Sequence, residues 1–338
     1  MFSRDLAIDL GTSNLLIFQK GRGIVLRQPS VVALVKATGE PKAFGTAALE
    51  MVGRSSEAIE IVRPIRDGAI ANYTATEAML RHYFGRINGR ANFMRPRVIV
   101  SVPCDVTSVE RQAVLDVCRA AGAREAWILE EPMAAALGLG LGVGEASGQL
   151  VVDVGGGTTN VAVISLGGSV VSATVRVGGD KFDEAIHRTM RRSNNVLLGE
   201  RSVEEIKIAI GSAVPLSPEL SFEVRGRDLS DGMPKAAKVS SAELRAALTD
   251  PIAQIVARVR MVLEQTPPEL ANDIVTNGMW LTGGSANLRG LNKKLAQETG
   301  LDVHVADDPL SCVANGLGRA LDQIDALTEN QYAFAGEK

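Results

Sequence analysis

Two periods of apolar residues take turns along this chain. Short apolar runs bounded by Gly, Pro or Asn read as strands: AIDL and NLLIF near the start, SVVALV at 30–35, RVIVSVP at 97–103, AWILEEP at 126–132. Between them the spacing turns helical. A helix is expected over 46–53, then over TATEAMLRHYFGRI, where Thr74 and Glu77 have capping-box spacing, then over SVERQAVLDVCRAAG up to Gly122, then over PMAAALGLG. The second half runs the same way, with helices over 180–194 and 202–211 (Ser202 and Glu205 again in capping spacing) and short strands in LSFEVRG and KAAKVS. Ser240 and Glu243 open a long helix through Glu264. MWLTGGSANLRGL reads strand, Gly turn, helix, and DVHVADDP closes a last strand. Strands alternating with helices predict an α/β fold with sheets covered on both faces.

The pattern also repeats at about half the chain's length. Residues 7–18 read AIDLGTSNLLIF and residues 151–164 read VVDVGGGTTNVAVI. Both run strand, Asp, apolar, Gly, a hydroxyl pair, Asn, strand, with two extra glycines in the second copy, so that Asn160 matches Asn14. Each continues to another Gly turn, at Gly21 and at Gly167-Gly168, and a further apolar run. So long a period marks a duplicated domain rather than a solenoid.

At a tight bend, Gly11 and Gly155, Gly156 and Gly157 let backbone N–H groups converge without a Cβ in the way, which makes an anion cradle. Thr12, Ser13, Thr158 and Thr159 add hydroxyl donors. Two such loops face to face would grip a polyphosphate from both sides. Asp9 and Asp153 beside that anion cost Coulomb energy unless a cation lies between. Hydrated Mg²⁺, which takes few carboxylates and keeps its waters, fits that place. Either Asp alone could be a turn-capping residue; its presence in both copies favours the metal. No G-x-x-x-x-G-K-[ST] occurs, and GLGLGVG at 138–144 suits a helix end at Gly138 or Gly140.

Composition narrows the field. The 338 residues are 46% hydrophobic with net charge −3, enough for a large two-lobed core and too little basic charge for nucleic acid as main partner. Arg188, Arg191 and Arg192 read as a solvated helix face. Cys104, Cys118 and Cys312 are too scattered for disulfides or zinc, and His82, His187 and His304 lack ligand spacing. A strand-like run begins close behind Met1, leaving no room for a signal peptide, and no apolar stretch is long enough to span a bilayer. A reducing cytoplasm is expected.

DLGTSN, EEPMAAALG, DVGGGTTN, VRVGGDKFDEAI, LTGGSANLRGL and ADDPLSCVANGLG follow the order seen in the actin, sugar kinase and heat-shock chaperone ATPase superfamily. RPIRDGAIANY, VRVGGDKFDEAI and ADDPLSCVA resemble more specifically the MreB family of bacterial actins, and the resemblance covers roughly residues 5–322. It implies an actin-like ATPase fold, with two duplicated ribonuclease-H-like cores and smaller inserted subdomains around a nucleotide cleft. Subdomain IA would be 1–32, 66–145 and 313–338; IB 33–65; IIA 146–180 and 243–312; IIB 181–242. The resemblance further implies ATP or ADP with Mg²⁺, slow hydrolysis, and self-assembly into filaments. It places them at the inner membrane face, alongside cell-shape or cell-wall synthesis proteins.

Carried over by position, Asp9 and Asp153 would organise the Mg²⁺ water shell. Gly11, Thr12, Ser13, Asn14, Gly155, Gly156, Gly157 and Thr158 would cradle the phosphates. Gly283, Gly284 and Ser285 would approach the adenosine, where a side chain would obstruct base or ribose. Glu204 and Lys207, on one helix face, would supply ribose and purine contacts, although their spacing equally suits a surface ion pair. Glu131 matches the residue that activates the attacking water, with Thr158 helping to hold it. As a helix-start acid, Glu131 also has a plain macrodipole reading.

Three positions depart from the family: Asn160, where an acidic residue is common; Ser285, where a third Gly is common; and Ile208-Ala209, in place of a basic-acidic pair. They leave the hydrolysis rate open and admit a divergent filament paralogue. A small-molecule kinase on the same fold is the alternative, but no insertion that would enclose its substrate is evident. A chaperone-type ATPase would need a peptide-binding domain. Finally, in NGRANFMRPR, Phe93 and Met94 flanked by Arg90, Arg95 and Arg97 form an apolar tip with a basic rim, suited to an anionic leaflet.

Overall fold

The two sequence repeats fold into two five-stranded sheets of one topology. In the computed structural model, which describes residues 5–88 and 95–322, the first sheet runs Glu125–Glu130, Arg97–Val102, Leu6–Leu10, Asn14–Gln19, Gly23–Pro29. The second runs Val303–Val305, Met279–Thr282, Gln149–Val154, Thr159–Ser165, Gly168–Val175. In each, an antiparallel three-stranded meander receives two parallel strands on the side of its first strand.

Strand pairing corrects the alignment of the repeats. Asp9 faces Leu16 and Leu10 faces Leu15; Asp153 faces Asn160 and Val154 faces Thr159. Both hairpins therefore close through loops of equal length, Gly11 to Asn14 and Gly155 to Thr158, and the second copy has no inserted residues: Gly156 and Gly157 stand where the first has Thr12 and Ser13. Asn14 corresponds to Thr158, and Asn160 to Leu16. Matching like letters shifted the second strand by two residues. A two-residue shift keeps the facing pattern, so hydrophobicity alone does not expose it.

Facing decides where the site forms. Leu6, Ile8 and Leu10 enter a core with residues of the outer helices Tyr73–Asn88 and Ser108–Ala120, whereas Ala7 enters a core shared by the two sheets. Leu150, Val152 and Val154 likewise pack with Gly179–Ser193 and Ser241–Gln265, and Val151 turns inward. The two-residue period then puts Asp9 and Asp153 on the inner faces. Between the sheets run the helices Glu131–Leu139 and Cys312–Asp322, so close that a Cβ on Gly316 would overlap the carbonyl of Ala134. Glu131 thus begins an inner helix at the same level as the two aspartates.

Two three-stranded sheets lie outside this layered body. One comprises Pro41–Phe44, Val32–Val35 and Ile59–Val62, over a small core of Val31, Ala33 and Ala48. The other comprises Val196–Leu197, Ser221–Asp228 and Pro234–Ser240.

Several local expectations need correcting. Tyr73–Asn88 is capped by Asn72, whose Oδ1 accepts from the Ala75 N–H at 2.9 Å, so Thr74 lies inside the helix. Glu200–Ile210 begins after Gly199, which leaves Ser202 within its first turn and Glu205 in an ion pair with Arg201. A capping box forms at Ser240 and Glu243 as expected, and another at Thr107 and Glu110. The helix expected over 46–53 is the single turn Thr46–Leu49. Arg90, Phe93 and Met94 lie outside the described residues. Arg95 is exposed, but Arg97 opens a strand and grips the buried Asp5 through Nε and Nη2 at 3.1 and 2.6 Å. A guanidinium committed to a buried carboxylate belongs to the fold rather than to a lipid-facing rim.

Candidate functional site

The two hairpin loops interlock across the cleft. A Cβ on Gly156 would overlap Ser13 Oγ and lie 2.9 Å from Ser13 Cβ; one on Gly157 would lie 2.5 Å from Thr12 Oγ1 and 3.0 Å from Asp67 N. A two-residue turn, Asp67-Gly68, wedges beside them. Both residues have positive φ, 49° and 76°, as a tight Asp-Gly hairpin requires, and the Gly68 N–H donates to Thr12 Oγ1 at 3.2 Å.

The carbonyls of the second loop are tied back. Gly155 O accepts from the Gly179 N–H at 3.1 Å and from Ser285 Oγ at 2.8 Å; Gly156 O accepts from the Asp180 N–H at 2.8 Å. By contrast, the N–H groups of Thr12, Ser13, Gly156, Gly157 and Thr158 donate to no group of the described residues. Unsatisfied amides clustered on two opposed loops are what an anion fills. The hydroxyls are less free than expected. Ser13 Oγ donates to Asp180 Oδ1 at 3.3 Å, and Thr159 turns into the core, donating to Val177 O at 2.7 Å.

Asp9, Asp153 and Glu131 converge beside the loops, each within charge range of another. Hydroxyls from the neighbouring parallel strands hold both aspartates: Ser101 Oγ donates to Asp9 Oδ1 at 3.3 Å and Thr282 Oγ1 to Asp153 Oδ1 at 2.8 Å. Asn160 Nδ2 donates to Glu131 Oε2 at 2.5 Å. Burial, then mutual repulsion, lifts Asp9 to about 7. Burial lifts Asp153 to about 6 against the Thr282 bond, and burial with its two acidic neighbours pushes Glu131 well above the carboxylate range. Among the described residues, none of the three has a cation among its charge partners. The described residues hold no cluster of three ligating side chains that would cage a metal alone. Two inward aspartates beside an anion cradle fit Mg²⁺ that takes its remaining ligands from phosphate and water.

The residues expected beside an adenosine have contacts of their own. Gly283, with φ 85°, is required by the backbone of Val154, which a Cβ would overlap. Gly284 meets only Leu310 Cδ1, at 3.2 Å. Ser285 pins the second hairpin loop through Gly155 O instead of leaving space. Lys207 pairs with Asp183 at 2.9 Å and reaches Gly179 O at 3.4 Å, while Glu204 is exposed on the same helix. Glu130 is engaged elsewhere, accepting from Arg111 at 3.1 Å and Ser169 at 3.3 Å.

Ser101, Thr282, Asp180, Asp183 and the Asp67-Gly68 turn escaped the sequence reading. The first two had a signal: extending the duplication by one more strand aligns RVIVS with MWLT and brings both hydroxyls opposite the aspartates. Asp-Gly at 67–68 is a hairpin signature in its own right.

Duplicated sheets with facing hairpin loops, inner helices between them and small sheets outside define the actin-like class of nucleotide-cleft proteins. The MreB/Mbl protein family model matches residues 3–329. The cell shape-determining protein MreB of Escherichia coli (strain K12) is 52% identical over 331 residues, which cover 96% of this chain and 95% of that one. Crystal structures of MreB5 of Spiroplasma citri superpose with TM-scores of 0.91 (bound to ADP; 38% identity, 96% and 98% of the two chains) and 0.92 (bound to AMPPNP; 37% identity, 98% and 99%). The chain belongs to the MreB/Mbl family.

Proposed function

We propose that this chain binds ATP and ADP between its two hairpin loops, hydrolyses ATP slowly, and assembles into filaments that organise cell shape at the inner membrane face. The observation that carries the reading is the meeting of unpartnered loop amides with two buried carboxylates, Asp153 and Glu131, and the half-buried Asp9 in one cleft. The nucleotide-bound MreB5 structures support it, as does the shape-determining role in the name of the E. coli relative.

In this reading the amides of Thr12, Ser13, Gly156, Gly157 and Thr158 hold the polyphosphate, with Gly11, Asn14 and Gly155 shaping the bends. Asp9 and Asp153 hold the Mg²⁺ water shell, and the metal's charge offsets that of phosphate beside carboxylate. Glu131 takes a proton from the attacking water, and Thr158 helps to place it. Gly283 and Gly284 line the adenosine; Lys207 and Glu204 flank the ribose. Residues 33–65 and 181–242 form the two outer subdomains. Phe93 and Met94 enter the membrane. Two apolar side chains contribute only about 3–6 kcal/mol, so a monomer binds weakly and a filament firmly through many copies. Cell-wall synthesis proteins would be met there, on the cytoplasmic side.

Sedimentation with Mg²⁺-ATP, with and without anionic vesicles, tests this. Filaments should pellet only with nucleotide and float with vesicles, and changing Phe93 and Met94 to Ser should abolish flotation alone. A chain that stays unassembled in every nucleotide state defeats the reading.

A further inference from the structure

Asn160 is fully buried at the start of the inner-facing strand Thr159–Ser165. Its side-chain oxygen accepts from Thr174 Oγ1 at 2.7 Å and from the Cys104 N–H at 3.4 Å; its nitrogen donates to Glu131 Oε2. The direction of every bond in this chain is forced. A backbone N–H only donates, so the atom facing Cys104 is the amide oxygen. Thr174 Oγ1 itself accepts from the Asp105 N–H at 3.4 Å, which leaves its proton for Asn160. Asp105 Oδ2 accepts from the Thr174 N–H at 2.7 Å and closes the loop. The amide therefore has one orientation, and that orientation aims a donor at Glu131.

The network also crosses the molecule. Cys104 and Asp105 follow the strand Arg97–Val102 of the first sheet, Thr174 and Asn160 belong to the second sheet, and Glu131 opens the helix between them. No hydrogen bond from the described residues reaches the other Glu131 oxygen. A buried carboxylate gripped at one oxygen by a donor that does not turn over keeps a single rotamer, with the second oxygen left for a substrate proton.

We infer that Asn160 is the positioning residue for Glu131, held in its donating orientation by Thr174 and the Cys104 amide, so that the placement of the water-activating carboxylate is set from both sheets. The inference deepens the proposed hydrolysis and rests on it for its kinetic consequence. An acidic side chain at 160 would offer acceptors only and could not make this bond while ionised.

Two measurements test it. In nucleotide-free protein labelled with ¹⁵N-asparagine, the Asn160 side-chain pair is identified as the one missing from Asn160→Asp. It should shift in Glu131→Gln and in Thr174→Val, and stay in place in Thr174→Ser, which keeps the hydroxyl. In phosphate release, with the pelleted fraction followed in parallel, Asn160→Asp and Thr174→Val should each lower kcat about tenfold with KM for ATP nearly unchanged, the pattern of lost positioning. Thr174→Ser should restore kcat. If Asn160→Asp does not fold, Asn160→Gln, which also removes the labelled asparagine, supplies the assignment, and the Thr174 pair carries both measurements. A resonance indifferent to Glu131→Gln, equal kcat in Thr174→Val and the parent, or a KM that rises with every loss of kcat overturns the inference. A parent that never binds or hydrolyses ATP defeats the proposed function instead, while the resonance still decides whether the amide is clamped.

Discussion

Thr282 and Asp153 stand in register on adjacent parallel strands, and the threonine hydroxyl donates a 2.8 Å hydrogen bond to the aspartate Oδ1. Ser101 does the same for Asp9 at 3.3 Å in the first sheet. The duplication therefore reaches past the loops to the groups that keep each acid aimed into the cleft.

Thr282→Val should weaken Mg²⁺-ATP binding. The hydrogen bond lowers the Asp153 pKa against burial, so losing it raises that pKa above about 6 and leaves less carboxylate at pH 7. A bond to a charged group contributes roughly 1.5–3 kcal/mol, so a tenfold or larger loss of affinity is expected by titration calorimetry. Ser101→Ala should cost less, because its bond is longer and Asp9 is partly open to the cleft. Equal affinity in Thr282→Val and the parent would remove the hydroxyl from the metal argument.

The nucleotide-free protein should be more stable at pH 5.5 than at pH 8. Asp153 has a folded pKa of about 6 against 3.8 unfolded, so the folded state binds the proton more tightly. Its stabilising contribution is present below about pH 4 and is lost as pH rises through about 6, on the order of 3 kcal/mol in all. Asp9, raised to about 7, Asp183, raised to about 6, and Glu131 act in the same sense. Glu110, Glu219, Asp228 and Glu298 are lowered, but their effect falls below pH 4.5, outside this window; His82, lowered by burial and by Arg86, opposes inside it, one exposed group against four raised acids. Urea midpoints across the range read the slope, and Asp153→Asn should flatten it.

These acids show what a chain without coordinates discloses and what it hides. Asp9 and Asp153 were legible because each ends an alternating strand before a glycine bend, a local pattern repeated twice. Asn160 was misread because matching asparagines looked like repetition, while only the ladder shows that it lies opposite Asp153. Gly283 was legible as a required glycine but not for its cause, since the Val154 backbone that excludes a side chain is over a hundred residues away. Lys207 and Glu204 were grouped by helix spacing, as nucleotide contacts or as an ion pair with each other; the ion pair Lys207 makes is with Asp183, on another helix. Contacts within one turn can be read from spacing, and contacts between elements cannot.

Gly156→Ala should separate the two loops. The added carbon would overlap Ser13 Oγ and stand 2.9 Å from Ser13 Cβ, so rotating the hydroxyl away does not clear it. The loop is tied from behind by Gly179, Asp180 and Ser285 and has no easy retreat. Overpacking of this kind costs roughly 1–3 kcal/mol, and here it falls on the amides meant for phosphate. ATP affinity should drop at least tenfold while the melting temperature without nucleotide drops by only a few degrees. Gly167→Ala, at a loop with nothing within contact range, should leave affinity unchanged although its positive φ costs some stability.

Arg63, directly after the strand Ile59–Val62 of one outer sheet, pairs at 2.8 Å with Glu200, which opens a helix just after the strand Val196–Leu197 of the other, and its charge also acts on Asp180. The pair is a candidate latch on nucleotide exchange. Its strength is limited, because Glu200 is two-thirds exposed and an ion pair in water contributes about 0.2–1 kcal/mol. Arg63→Ala should therefore speed release of a fluorescent ADP analogue by no more than about fivefold at low salt. Because exposed charges are screened within about 10 Å at 0.1 M salt, the difference should shrink as salt rises toward 0.5 M. Glu200→Gln should reproduce the low-salt effect at smaller size, since the charge of Arg63 still acts on Asp180. A salt-independent change would mean instead that Arg63 acts through packing of its stem on the wedge turn, and the latch would be discarded.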